Sequence, residues 1–215
     1  MSIIFLTYVN RSGSTYLANL LDSSPKILAC PEGDLLVSFF LEDPGKVFTY
    51  NEQTEIRIKE IFSIDPKLHC WGDVNSLLTG LEKARNNLEA VIIILTNYKN
   101  QVKPEAEHIL FKAERIVFLI KKIVKVKTDH TLRFISVIRD PRAVYGSQKR
   151  TKFPGTQTTM SNDPVKTAEY WRRYLKFCQS VVYKNFLQIR FEDLIEIQKD
   201  VLMILSEFIG IEFNT

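Results

Sequence analysis

An apolar run, Ile3–Val9, opens this sequence, and the polar stretch Asn10-Arg11-Ser12-Gly13-Ser14-Thr15 stops it at once. A strand without polar alternation fits a sheet covered on both faces, the usual condition of a parallel sheet. After Gly13 the residues Tyr16, Leu17, Leu20 and Leu21 recur at helical spacing until Ser23-Ser24-Pro25 ends them. The N-terminus therefore reads as strand, tight loop, helix. Such a loop gathers main-chain N–H groups at a helix start that carries about half a positive charge. Arg11 adds a fixed cation, and Ser12, Ser14 and Thr15 add hydroxyl donors. The pattern suits an anion but lacks the G-x-x-x-x-G-K-[ST] spacing of a Walker loop. Taken alone, it serves equally well as a turn whose hydroxyls cap a helix.

The same alternation continues along the chain. Ile27–Ala29 reads as a short strand and Glu55–Phe62 as a helix. A 3.6-residue apolar period from Leu77 to Leu95 predicts one long helix, followed by a polar connector over Lys99–Glu107. His108–Lys112 is a third strand, Ile116–Val124 a helix and Arg133–Ile138 a fourth strand. Asp140-Pro141 and Asp163-Pro164 each read as a cap followed by a first helical residue. The second of these opens a helix to about Tyr183, beyond a polar loop over Thr151–Asn162. Phe186–Phe191 is a fifth strand and Glu192–Ile209 a final amphipathic helix. This order predicts an α/β fold of three layers: a central parallel sheet of about five strands flanked by helices. Ligands of such sheets bind beyond the carboxyl ends of the strands.

A chain of 215 residues without internal repeats is expected to form a single domain. Its 29 Lys and Arg against 25 Asp and Glu leave +4, which suits an anionic ligand but is too dispersed to indicate nucleic acid. Cys30, Cys70 and Cys178 form neither a disulfide framework nor a C-x-x-C metal pair, so a reducing compartment is expected. No basic segment precedes the first apolar run, and no stretch approaches the roughly 18 apolar residues of a membrane span. The expectation is a cytoplasmic protein without a membrane span and without a metal.

A second strand ends in a cation at Arg139-Asp140-Pro141-Arg142-Ala143-Val144-Tyr145-Gly146-Ser147. Asp140 and Pro141 are accounted for as helix-start residues. Arg139 is not needed for that purpose, and it stands where a phosphate would meet the helix end. An ion pair with a nearby acid is its other reading, and a plain surface position is the other reading of Ser147.

Together the two junctions resemble the sulfotransferases that use 3′-phosphoadenosine 5′-phosphosulfate (PAPS). Carbohydrate and bacterial members carry a strand ending in P-R-S-G-S-T and a later one ending in R-D-P-R-A-V-x-x-S. Ala168 to Tyr174 is similar to the family's A-x-x-W helix. Leu187 to Leu194, continuing to Glu207–Ile211, is similar to its V-R-Y-E-D-L and E-F-L-G-L ending. Leu110-Phe111-Lys112-Ala113 is similar to its third-strand lysine element. Residues 34–107 lie outside the match, Asn10 stands where the family usually has Pro, and Phe111 replaces its usual acid.

The resemblance implies a P-loop-like α/β fold and transfer of a sulfuryl group from PAPS to an acceptor hydroxyl, of a carbohydrate or glycolipid. It implies that Arg11, Ser12, Gly13, Ser14 and Thr15 hold the 5′-phosphosulfate, while Arg139 and Ser147 hold the 3′-phosphate. Lys112, with Arg11, would meet the charge that develops on the transferred group. The family's proton acceptor falls on Glu32, with Glu114 as the second candidate; His69, His108 and His130 fit no such place. Many members continue past the position of Thr215 with a segment that covers the nucleotide, so the chain is either a compact member or one lacking that segment. The partner implied is a small-molecule or glycan acceptor, read by residues 34–107 and the 151–162 loop. Tyr50, Trp71 and Phe153 are candidates to stack on a sugar, against an ordinary core or surface role. A phosphotransferase or nucleotide kinase of the P-loop fold and a non-catalytic PAPS-binding domain stay open as alternatives.

Overall fold

All seven residues of β1 (Ser2–Tyr8) are buried, and the strand runs through the middle of the molecule. The computed structural model describes residues 1–153 and 156–213. Around β1 lie β2 (Ile27–Cys30), β3 (His108–Lys112), β4 (Thr131–Ile138) and β5 (Phe186–Arg190). The sheet order is β2-β3-β1-β4-β5, and every pairing is parallel. All five carboxyl ends therefore share one edge. Cys30 sits beside Phe111, and Leu6 lies between Lys112 and Ile135, so the chain leaves β2, β3, β1 and β4 at neighbouring points of that edge.

The longer helices are α1 (Ser14–Asp22), α2 (Glu52–Ile64), α3 (Asn87–Val102), α4 (Pro141–Arg150), α5 (Pro164–Gln179) and α6 (Gln198–Ile209). One face of the sheet packs Ile4, Leu6 and Ile135 against Leu17 and Leu21 of α1 and Leu205 of α6. The other packs Phe5, Phe111 and Phe134 against Leu88, Val91 and Leu95 of α3 and Tyr174 of α5. Both faces are apolar because both are covered, which explains why the strands show no alternation. None of the described helices is long and apolar enough to cross a membrane.

Several boundaries differ from the sequence expectation. The helix expected over Leu77–Leu95 is interrupted after Val74–Leu78: Gly80 turns into the left-handed region (φ 83°) and Asn86 is extended, its side chain accepting from the Glu89 N–H to cap α3. A good cap overrides a continuous apolar period. α3 then takes up residues expected to form the connector. Ile116–Val124 is a 3₁₀ turn, Glu114–Phe118, followed by the short helix Ile120–Ile123. The last helix divides at Ile197 into Phe191–Glu196 and α6, so Phe191 begins a helix instead of ending β5. Trp71 is fully buried against Phe62, Tyr98 and Phe111, and is therefore a core residue. Pro154 and Gly155 of the 151–162 loop lie outside the described residues.

Candidate active site

The loop from β1 to α1 is shaped by two residues with positive φ, Arg11 (75°) and Gly13 (87°). A Cβ at Gly13 would lie 2.0 Å from Cδ2 of Phe191, so any other residue there forces that ring to shift. Arg11 carries a Cβ in the left-handed region, which costs about 1–2 kcal/mol. No side chain caps α1, so its first-turn N–H groups remain open. Beneath them Ser12 Oγ is buried with no hydrogen-bond partner among the described residues. Open N–H groups, an orphaned hydroxyl and a backbone held in a sparsely populated conformation together fit a bound anion such as a phosphosulfate.

The second junction adjoins the first. Asp140 caps α4 by accepting from the Arg142 N–H at 2.8 Å, with Pro141 behind it. Arg139 Nη1 donates to the Arg11 carbonyl at 3.1 Å, and its guanidinium lies 4.7 Å above the Phe191 ring. Arg11 Nε donates to Ser147 Oγ at 3.0 Å. Among the described residues neither Arg11 nor Arg139 has a carboxylate within ion-pair distance. Two side chains brace the arrangement from α4 and α5: Trp171 Nε1 donates to the Arg139 carbonyl at 2.8 Å, and Gln148 Nε2 to the Asn10 carbonyl at 3.1 Å.

These junctions wall a cavity of about 460 Å³, within the range of roughly 300–1,000 Å³ usual for small-molecule sites. Arg11, Gly13, Ser14, Thr15 and Arg139 line one half, and Phe153 contributes to the lining from the 151–162 loop. The other half is built on Glu32, which follows β2. Its Oε1 accepts from the Tyr8 hydroxyl at 2.7 Å and lies 3.1 Å from Lys112 Nζ. Lys112 also donates to Thr15 Oγ1 at 3.1 Å, which joins the two halves. Glu32 Oε2 lies 2.5 Å from Lys67 Nζ, and Lys67 is 3.4 Å from Asp34 Oδ2. Burial by itself would raise the Glu32 pKa. The hydrogen bond from Lys67, the charge of Lys112 and the hydrogen bond from Tyr8 outweigh it and bring the carboxyl to about 2.

Glu114 is placed differently. Its Oε2 accepts from Asn10 Nδ2 at 2.6 Å; Asn10 lines the main cavity, whereas Glu114 opens onto a separate groove beside Phe118 and Tyr170. Burial raises its pKa, against a hydrogen bond from Tyr170 and reinforced by the charge of Asp34. The histidines lie elsewhere. His108 starts β3 at the opposite edge, where it meets Ser2 Oγ; His69 bonds the Ser63 carbonyl; His130 precedes β4.

The structure thus gathers Arg11, Gly13, Ser14, Thr15, Glu32 and Arg139 around one cavity, with Ser12 beneath it and Lys112 and Ser147 tied to its lining. Sequence reasoning missed Lys67, Tyr8 and Phe191. Tyr8 reads as an ordinary strand residue, and Phe191 as the end of the fifth strand, within the stretch similar to V-R-Y-E-D-L but with no role at the site. Lys67 sits in a Pro-Lys turn without any chemical motif.

A family model described as "Sulfotransferase family" matches residues 4–215. Among solved structures, the chain is similar to the sulfotransferase domain from the curacin biosynthetic pathway, at 21% identity and a TM-score of 0.61 over 99% of this chain and 75% of that one. It is similar to the sulfotransferase domain from the Synechococcus PCC 7002 olefin synthase, at 19% identity and a TM-score of 0.62 over 99% and 74%. It is also similar to mouse sulfotransferase SULT7A1 complexed with PAP, at 14% identity and a TM-score of 0.54 over 99% and 59%. At these identities the likeness establishes the fold. No curated protein matches the chain.

Proposed function

The chain belongs to the sulfotransferase family, and on that premise we propose that it transfers a sulfuryl group from PAPS to an acceptor hydroxyl, of a carbohydrate or glycolipid. The observation that carries this reading is the join between the two cationic junctions, where Arg139 donates to the Arg11 carbonyl and Arg11 donates to Ser147. Two guanidinium groups without carboxylate partners among the described residues face one cavity, and a nucleotide with an anionic group at each end satisfies both. Arg11, Ser12, Gly13, Ser14 and Thr15 hold the phosphosulfate end; Arg139 and Ser147 hold the 3′-phosphate. When bound, PAPS supplies an activated sulfuryl group on a phosphate leaving group.

The chain's own residues supply position and charge. Lys112 is 8% exposed and bonded to Thr15 at the start of α1, where its ammonium meets negative charge growing on the leaving oxygen. Arg11 shares that role from the loop. Glu32 faces the cavity and is the group placed to take the acceptor's proton, whereas Asn10 stands between Glu114 and the cavity. Phe153, about half exposed, offers a flat apolar face to an acceptor such as a sugar ring.

Thermal unfolding tests the reading. Adenosine 3′,5′-bisphosphate should raise the melting temperature more than ATP with Mg²⁺; the reverse ranking would favour a phosphotransferase. Transfer of [³⁵S]sulfate from PAPS to a panel of sugars, glycolipids and phenols should label a sugar-bearing acceptor. Nucleotide binding without transfer to any of them would mark a non-catalytic binder.

A further inference from the structure

Residues 34–107 contain none of the motifs above, yet this segment delivers a cation to the site. The main chain around Lys67 is pinned: its N–H donates to Asp65 Oδ1 at 3.0 Å, the Leu68 N–H donates to the Asp65 carbonyl at 2.9 Å, and Leu68 and Trp71 are buried. The Lys67 side chain is much freer, at 46% exposed against 10% for Lys112. The two oxygens of Glu32 are unequally held. Oε1 has two donors from the sheet, Tyr8 and Lys112, whereas Oε2 has Lys67 alone among the described residues. Lys67 lines the same cavity as Gly13, Thr15 and Arg139.

We propose that Lys67 is a movable latch on Glu32: it covers Oε2 while the cavity lacks an anion, and swings its ammonium to the sulfonate end of the donor once that is bound, leaving Oε2 to accept the acceptor's proton. The inference rests on the sulfuryl-transfer reading above; Lys67 governs proton transfer through Glu32. In the transfer, the acceptor O–H proton passes to Oε2 and the acceptor oxygen's electron pair forms the new O–S bond. The S–O bond to phosphate breaks, and its pair leaves on the phosphate oxygen beside Lys112; both lysines keep their protons.

The charged and titratable groups facing Glu32 are Tyr8 from β1, Lys112 from β3, Lys67, and Asp34 with Glu114 beyond it. Arg11 and Arg139 line the same cavity. A carboxyl held near 2 is a feeble proton acceptor at neutral pH, and the Lys67 hydrogen bond is the largest influence holding it there. Moving Lys67 away therefore restores proton affinity at the moment the donor is in place.

The test follows the Glu32 carboxyl by ¹³C NMR, assigned by its loss in Glu32→Gln, from about pH 3.5 to 7. Wild type and Lys67→Met are compared, each alone and with PAPS in the absence of acceptor; Lys67→Gln serves as a second variant. In the free proteins, Glu32 should titrate inside this window in the variants and below it in wild type. With PAPS bound, wild type and variants should titrate together, because Lys67 no longer contacts Glu32. Loaded proteins that remain as far apart as the free ones would overturn the latch. Absence of PAPS-induced shifts at the Gly13 and Ser14 amides in wild type would overturn the donor reading and the latch with it. Kinetics give a second readout: the acid limb of kcat/KM moves up in Lys67→Met while that of kcat stays in place. Movement of both limbs together contradicts the latch.

Discussion

The two halves of the cavity treat charge in opposite ways. Around Gly13 the cations are left open among the described residues: Arg11 and Arg139 bond a hydroxyl and a main-chain carbonyl, and the α1 N–H groups have no side-chain cap. Around Glu32 the charges are closed on one another, with Lys67, Lys112 and Asp34 in one network. On the proposed reading the open cations receive the donor's charge. On the same reading the closed network controls a proton, because it sets the affinity of its carboxylate. Binding and proton transfer should therefore separate by mutation.

The largest expected separation comes from the closed half. Glu32→Gln should lower kcat by about 10²–10⁴-fold while the affinity for adenosine 3′,5′-bisphosphate changes little. Glu114→Gln should change kcat by less than about tenfold, since the side chain does not face the cavity. Steady-state kinetics with a labelled donor measures both, and the opposite ranking would make Glu114 the proton acceptor. In the open half, Arg139→Ala should weaken bisphosphate binding by roughly 10–100-fold, the worth of a charge-assisted hydrogen bond of about 1.5–3 kcal/mol. Gly13→Ala should weaken binding and destabilise the fold by about 1–3 kcal/mol, because its Cβ enters the Phe191 ring and its φ is positive; urea unfolding measures the second effect.

The smallest effect sharpens the contrast between the two carboxyls. The folded pKa of Glu32 is depressed, so its contribution to stability is present above about pH 4.5 and lost as pH falls toward about 2. The folded pKa of Glu114 is raised, so its contribution is present at low pH and lost as pH rises through the folded value. Relative to wild type, Glu32→Gln should be less stable at neutral pH, with the deficit shrinking in acid. Glu114→Gln should show the reverse trend. Urea midpoints at neutral and acid pH check both signs, and parallel trends would contradict the assigned environments.

The open half was legible because it is made of local chemistry. A buried strand, a glycine with positive φ and an Asp-Pro helix start each act within a few residues, and they end neighbouring strands. The sheet, its two covered faces and the caps at Asp140 and Asp163 follow from the same short-range rules. The closed half depends on distant contacts. Glu32 and Lys112 meet because β2 pairs with β3, and Lys67 arrives from a turn whose sequence says nothing of the cavity. Phe191 has an equally nonlocal role: its ring lies against Gly13 and beneath Arg139, which binds both junctions to one surface. The break before Asn86 is hidden in the sequence because apolar residues continue on the helical period through a segment where a side-chain cap sets the boundary.

Whether the open half holds both ends of one nucleotide is decided most directly by calorimetric titration with adenosine 3′,5′-bisphosphate, 5′-AMP and 3′-AMP. The bisphosphate should bind one to one and at least about tenfold more tightly than either monophosphate, and in Arg139→Ala it should bind no better than 5′-AMP. Equal affinity of wild type for the bisphosphate and 5′-AMP would show that Arg139 and Ser147 receive no phosphate.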